Sequence, residues 1–247
     1  MSEVTVGLLV FLCLAGAALG SLLLYPRLPS RYRDAETIST IRLAAGLFTL
    51  MVSLVLGLTV NSARNTFESV DHDEHVMSTE IILLDRALRR YGPEAQTVRK
   101  QLVDYATRLL ETPVEEGETN PALEVSLETV GNSLNTLRPS DVRSSALWQD
   151  ARQHFQRIVE LRWTLLEQGE GSIPTALVIM LVAWLTLIFA SFGYGAPRNT
   201  FIVVVLVIAA FLISASLYLI LDMETAFTGP IQVTSKPAQR ALLELRK

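Results

Sequence analysis

The chain holds 247 residues, half of them hydrophobic, with 21 Lys and Arg against 25 Asp and Glu. The apolar residues stand in blocks: Val4 to Leu24, Leu43 to Val60, Ile173 to Phe192 and Phe201 to Leu221 each run 18 to 21 residues without a charge. Each block is long enough to cross a hydrocarbon core of about 30 Å as a helix. An ordinary soluble enzyme is thereby excluded, and a four-span membrane protein is expected.

The first block follows Met1-Ser2-Glu3, which lacks the basic residues of a signal peptide, and it exceeds the length of a signal core, so it reads as a retained span. The single cysteine, Cys13, lies inside it, which excludes an intramolecular disulfide and a cysteine-based zinc site. A connector with Pro26 and Pro29 leads to the second block. The expected organisation is a first transmembrane hairpin over 1–60, a soluble helical domain over 61–172, a second hairpin over 173–221 and a C-terminal tail over 222–247.

Between Thr37 and Tyr91 there is no proline, and Gly46 and Gly57 both lie inside the apolar run, where glycine is common in membrane helices. One uninterrupted helix is therefore expected to leave the membrane and continue into water. Beyond the apolar block, Val70, Met77, Leu84 and Tyr91 recur every seven residues with Ile81 and Leu88 between them, a packing stripe interrupted by Glu74.

Pro93 opens a helix over Glu94 to Glu111 with Val98, Leu102, Tyr105 and Leu109 on one face. Thr112 to Asn120 reads as a loop, and Asn120-Pro121 as an N-cap followed by a first-turn proline, starting a helix that carries Leu123, Leu127, Val130, Leu134 and Leu137. Ser140 is the expected cap of the last soluble helix, with Val142, Ala146, Phe155, Ile158 and Leu165 inward, stopping at Gly169-Glu170-Gly171. No alternating strand pattern occurs, so the fold class is all-α.

Three stretches resemble one family. They are Leu56-Gly57-Leu58-Thr59-Val60-Asn61-Ser62-Ala63 running into an acidic helix, the helix from Trp148 to Arg162 leading into the third span, and Leu221-Asp222-Met223-Glu224-Thr225-Ala226-Phe227-Thr228-Gly229 after the fourth. They are similar to the bestrophin-like membrane proteins of bacteria. The last stretch departs from the family's Leu-Asp-x-Pro-Phe-x-Gly pattern, because Ala226 precedes Phe227 and the spacing is longer. The resemblance implies kinship with bestrophins, homopentameric anion channels whose second helix lines the pore.

The apolar blocks contain no Asp, Glu, Lys, Arg or His, and the chain has no phosphate loop, His-Glu-x-x-His or Gly-x-Ser-x-Gly motif, so no enzyme activity is expected. Along the second span, Gly46, Thr49, Ser53, Gly57 and Asn61 form a small and hydroxyl-bearing stripe. It serves close helix packing, a pore-facing surface in a ring of subunits, or both. Leu50 and Leu54 on the adjoining turns supply a hydrophobic constriction in the second case.

The pore-mouth candidates are Arg64, Asn65, Glu68, Asp71, Asp73 and Glu74, with Arg64 either attracting anions or paired to Glu68 four residues on. His72 and His75 share a helical face with Glu68, which suits either a solvated acidic helix or a divalent metal and pH-sensing site. No other cofactor is expected. Asp222 and Glu224 are expected to be solvated groups at the membrane interface.

An even number of spans puts both termini and the middle region on one side. The connectors opposite carry Arg27, Arg31, Arg33, Arg42 and Arg198, and the termini side carries Arg64, Arg157, Arg162, Lys236 and Arg240 near a span, so charge counting ties. The resemblance favours a cytoplasmic middle region and termini, in a multi-pass protein of a bacterial inner membrane; the Arg-rich first connector argues the reverse. Expected partners are the lipid bilayer, further copies of the chain in a pentamer, and small ions, with no nucleic acid. A non-conducting membrane-anchored scaffold or sensor, binding a protein through the helical domain, is the alternative function. On ion sign, the resemblance implies anions, whereas 19 acidic against 12 basic residues in 61–172 favour cations.

Overall fold

A computed structural model describes residues 3–111, 121–168, 173–224 and 232–246. Among these, every regular element is helical: α1 (Glu3–Leu24), α2 (Ala35–Tyr91), α3 (Gln96–Glu111), α4 (Pro121–Thr136), α5 (Val142–Gln168), α6 (Thr175–Gly193), α7 (Thr200–Glu224) and α8 (Lys236–Leu245). Short 3₁₀ turns at Tyr25–Arg27 and Ser30–Tyr32 lie between α1 and α2, and a third, Pro93–Ala95, enters α3. The expected loop at 112–120, the glycine stop at 169–171 and the 225–229 part of the post-span motif fall outside the described residues.

α2 is one helix of 57 residues, about 85 Å at 1.5 Å per residue, as the proline-free sequence requires. Four helices, α1, α2, α6 and α7, are long and apolar enough to cross a membrane. The chain divides into two units, 1–64 with 172–224 and 65–171 with 225–247, so α2 contributes to both.

In the first unit α1 packs against both α6 and α7. Val10, Leu14 and Ala18 of α1 meet Leu181, Leu185, Ile188 and Phe189 of α6 and Leu206, Ala210 and Leu217 of α7, and Val52 of α2 joins this core. Gly193 marks the closest approach: a Cβ there would stand 2.0 Å from the Ala18 carbonyl oxygen. Beside it Ser21 Oγ donates to the Ala190 carbonyl at 2.7 Å, joining α1 to the last turn of α6. Ser214 Oγ donates to the Gly7 carbonyl, joining α7 to α1. Arg198 Nη2 donates to the Leu22 and Leu23 carbonyls at 3.1 and 3.0 Å, satisfying the open end of α1 with a charge of the favourable sign.

The second unit has its own core, to which α2 contributes Val70, Met77, Ile81, Leu84 and Leu88, with Tyr91 packed at its edge. α3 contributes Val98, Leu102 and Tyr105, and α4 contributes Leu123, Leu127 and Val130 through Leu134, matching the faces expected from the sequence. Phe155 of α5 lies over Gly131, where a Cβ would come within 2.6 Å of its ring. Trp148 Nε1 donates to the Leu134 carbonyl at 3.0 Å, a second tie between α5 and the end of α4.

Two details of α5 correct the sequence reading. Its cap is Asp141 rather than Ser140: Asp141 Oδ1 accepts the Ser144 N–H at 2.6 Å while Ser144 Oγ accepts the Asp141 N–H at 3.0 Å, a reciprocal pair that satisfies two open donors. Hydrogen bonding from the Ser144 side chain, and then from the Ser144 backbone N–H, holds the Asp141 carboxyl below the usual range. Val142 and Ala146 are exposed, because the 27-residue α5 outruns the 16-residue α3 and α4; its inward face begins at Trp148, and Ala151 is its first fully buried residue.

The C-terminal tail is also more structured than its composition suggests. Residues 222–224 complete α7, and α8 buries Ala241 and Leu245 in the core of the second unit.

Candidate functional site

The membrane-spanning half of α2 has two dissimilar faces. Ala45, Val52, Thr59 and Ala63 are buried within the protomer. Gly46, Thr49, Leu50, Ser53, Leu54, Gly57 and Asn61 are all exposed, Leu50 and Leu54 at 71% and 67%. Nothing lies within 4 Å of the position a Cβ would take at Gly46 or Gly57. Thr49 Oγ1 donates to the Ala45 carbonyl and Ser53 Oγ to the Thr49 carbonyl, both at 2.8 Å. Their protons are thus used within the helix, and oxygen lone pairs are what the stripe presents outward. Leu43, Leu47 and Leu58 continue the exposed surface on the adjoining flank.

The residues expected at a pore mouth do not stay together. Arg64, Asn65 and Glu68 are exposed, and Asp71 and Asp73 are half-buried. Asp73 Oδ2 accepts from Gln168 Nε2 at 3.3 Å, and Ser69 Oγ lies 3.3 Å from the same amide nitrogen, so this side of α2 faces α5. Glu74 turns inward: it is 9% exposed, and its carboxyl is pushed up to about 7, chiefly by burial, with Asp71 adding and His75 opposing.

His72 and His75 are exposed. His75 Nδ1 donates to the Asp71 carbonyl at 2.8 Å, with the Asp71 carboxylate 3.7 Å away. Among the described residues, no group of three or more His, Cys, Asp or Glu is placed to hold a metal ion.

Further along α2 lie polar ties outside the stripe and the expected pore mouth. Asp85, with a side chain only 4% exposed, accepts Arg89 Nε at 2.6 Å and Arg99 Nε at 2.8 Å. Arg89 Nη2 also donates to the Glu244 and Leu245 carbonyls at 3.2 Å, capping α8. His154 Nδ1 meets Glu80 Oε2 at 2.6 Å, and its Nε2 lies 3.5 Å from Asp150 Oδ1, linking α5 to α2 through a histidine that no motif marked. The Asp85–Arg89 pair was legible as a four-residue helix spacing; the Glu80–His154 pair spans 74 positions and carries no local signal.

Two further charges are buried. Arg162 is 8% exposed and lies near the Tyr105 hydroxyl, which burial pushes up and the Arg162 charge pulls back. Asp222 is fully buried, which corrects the expectation of a solvated interfacial group: α7 continues past it through Glu224 and keeps its side chain inside.

This architecture is shared with solved membrane proteins. A tyrosine-to-alanine variant of a bacterial Bestrophin homologue from Klebsiella pneumoniae matches with a TM-score of 0.69 at 12% identity, over 97% of both chains. A proline-to-alanine variant described as a membrane protein matches at 0.68 and 14% identity, over 99% of this chain and 98% of that one. An isoleucine-to-threonine variant of the Klebsiella homologue matches at 0.57 and 15%, over 97% of both chains. These likenesses establish the fold, and no curated protein matches the sequence. A family profile, the Bestrophin-like domain, matches residues 12–238, nearly the whole chain. The protein is a member of the Bestrophin-like family of membrane proteins.

Proposed function

We propose that the protein is a passive ion channel, a ring of identical subunits, five by analogy with bestrophins, whose pore is lined by the spanning half of α2. The observation that carries this reading is the uncovered stripe on that helix. Its own protomer buries Ala45, Val52 and Thr59 and leaves Gly46, Ser53 and Gly57 open. Small residues with outward lone pairs gain little from lipid but suit close neighbours or a water-filled path. Leu50 and Leu54 project from the same side and form the constriction. The protein resides in a bacterial inner membrane with its helical unit and termini in the cytoplasm, and it carries out no catalysis.

The expected permeation is weakly selective, with cations at least as permeant as chloride. With α8 docked, the helical unit carries 15 basic and 20 acidic residues, net −5. Five copies place about −25 formal charges around one vestibule, enough to concentrate cations near the entrance.

The test is flux in liposomes. Ser53→Trp or Gly57→Trp should abolish flux while the ring stays assembled. Dissociation of the ring by the same changes would assign the stripe to packing alone.

A second reading, the membrane-anchored scaffold, has one observation in its favour. A groove of about 440 Å³ between α3 and α4 is lined by Asp104, Arg108, Pro121, Ala122 and Val125. Well-formed rings without any ion current would favour it.

A further inference from the structure

One cavity shares Gly46 and Thr49 with the outer end of the α2 stripe and adds a charge, Arg42, that the channel reading does not use. A pocket of about 250 Å³ opens where the first turns of α2 meet the end of α6, lined by Arg42, Ala45, Gly46, Thr49, Ser191 and Phe192. Its depth in the bilayer follows from the sequence. Arg42 immediately precedes the charge-free run that begins at Leu43, and Phe192 ends the run that begins at Ile173. Both walls therefore stand at the boundary between headgroups and acyl chains.

The surrounding aromatic residues agree with that depth. The Tyr25 and Tyr194 rings pack edge to face with centroids 5.1 Å apart, and the Arg31 guanidinium lies 4.6 Å over the Tyr32 ring. Tyrosines with apolar bodies and polar tips gather at this level of a membrane.

Among the described residues no carboxylate pairs with Arg42, whereas Arg198 is committed to the α1 carbonyls. The hydroxyl protons of Thr49 and Ser191 are committed as well, Ser191 Oγ donating to the Ile188 carbonyl at 2.6 Å. The guanidinium is thus the one strong donor set facing the cavity, and the remaining wall is apolar or small. At Gly46 the wall is bare backbone.

We propose that this pocket holds the phosphodiester of an anionic phospholipid from the connector-side leaflet, with the Arg42 guanidinium on the phosphate oxygens and an acyl chain against Phe192. Planar guanidinium matches phosphate geometry, and a pocket of this volume admits a phosphate with part of its glycerol but not a whole lipid, leaving the chains in the bilayer. Free phosphate would share the headgroup chemistry but not the apolar contact. Binding is read without ion flux, so its failure is distinguishable from a failure of the channel reading, which is tested at Ser53 and Gly57 deeper on α2.

The test uses the purified full-length protein in mild detergent, with short-chain phosphatidylglycerol, phosphatidylcholine and inorganic phosphate as separate probes. Binding is read by thermal shift and by lipid adducts in native mass spectrometry. Phosphatidylglycerol should stabilise the wild type and persist as an adduct, with phosphatidylcholine and inorganic phosphate much weaker. Arg42→Gln, a change at an exposed side chain, should weaken phosphatidylglycerol at least tenfold, Arg42→Lys should restore part of it, and Gly46→Leu should block it by filling the cavity. Equal phosphatidylglycerol binding by wild type, Arg42→Gln and Gly46→Leu would overturn the proposal. Inorganic phosphate reproducing the whole effect would overturn the lipid assignment.

Discussion

Asp85 and Arg89, one turn apart on α2, are joined by a 2.6 Å hydrogen bond from Nε to Oδ2, and the same arginine closes the end of α8. A carboxylate with so little exposure is stabilised only while both its arginines remain. Asp85→Ala should therefore destabilise the helical unit by about 3 kcal/mol, the typical cost of stranding buried charges. Arg89→Ala should also speed hydrogen exchange selectively over 236–245. Denaturant unfolding and exchange mass spectrometry check the two effects.

Glu74 makes stability depend on pH with a definite sign. Its carboxyl is raised from 4.5 to about 7 in the folded chain, so between those values the folded state binds a proton that the unfolded state has lost. Stability should fall as pH rises from about 4.5 to about 7 and level off above, because ionisation inside the fold is disfavoured. Glu74→Gln should flatten that slope and be more stable than wild type at pH 8 by on the order of 2 kcal/mol. Thermal unfolding at several pH values measures it.

At Gly193 the packing of α1 on α6 leaves no room. A Cβ 2.0 Å from a backbone oxygen cannot be relieved by a rotamer change, so Gly193→Ala must push the helices apart. The expected cost is at least about 2 kcal/mol, read as a lowered melting temperature in detergent. Gly46→Ala, where nothing lies within 4 Å, should be neutral within the same protomer.

Helices were legible because their signals are local. The charge-free blocks, the proline-free run from Thr37 to Tyr91 and the apolar faces of α3 and α4 all reappear in the structure. What escaped depends on partners distant in sequence or on the competition between neighbours. α8 has short apolar spacing, Ala241 to Leu245, that becomes meaningful only against α2 and α3. Glu74 stands both in the packing stripe with Val70 and Met77 and in the acidic run expected at a pore mouth, and only its burial in the fold decides for the first. Ser140 and Asp141 are both good caps, and only the reciprocal bond with Ser144 decides between them. The exposed stripe of α2 was legible as a pattern, while its role requires the neighbouring subunits.

Ion selectivity separates the charge reasoning from the family analogy. Under a potassium chloride gradient the reversal potential should lie between zero and the potassium equilibrium value. A value near the chloride equilibrium potential would mean that groups such as the exposed Arg64 outweigh the acidic helical unit.

The most direct measurement is current through reconstituted protein bearing a single cysteine on the stripe. The native Cys13, which is exposed, is replaced by serine, and Ser53→Cys is introduced. A water-filled path past α2 predicts that a charged, membrane-impermeant thiol reagent reacts at position 53 and blocks the current, while the Cys13→Ser parent is unaffected. A steady current in the presence of full modification at position 53, or no current from intact rings, would contradict a pore lined by this helix.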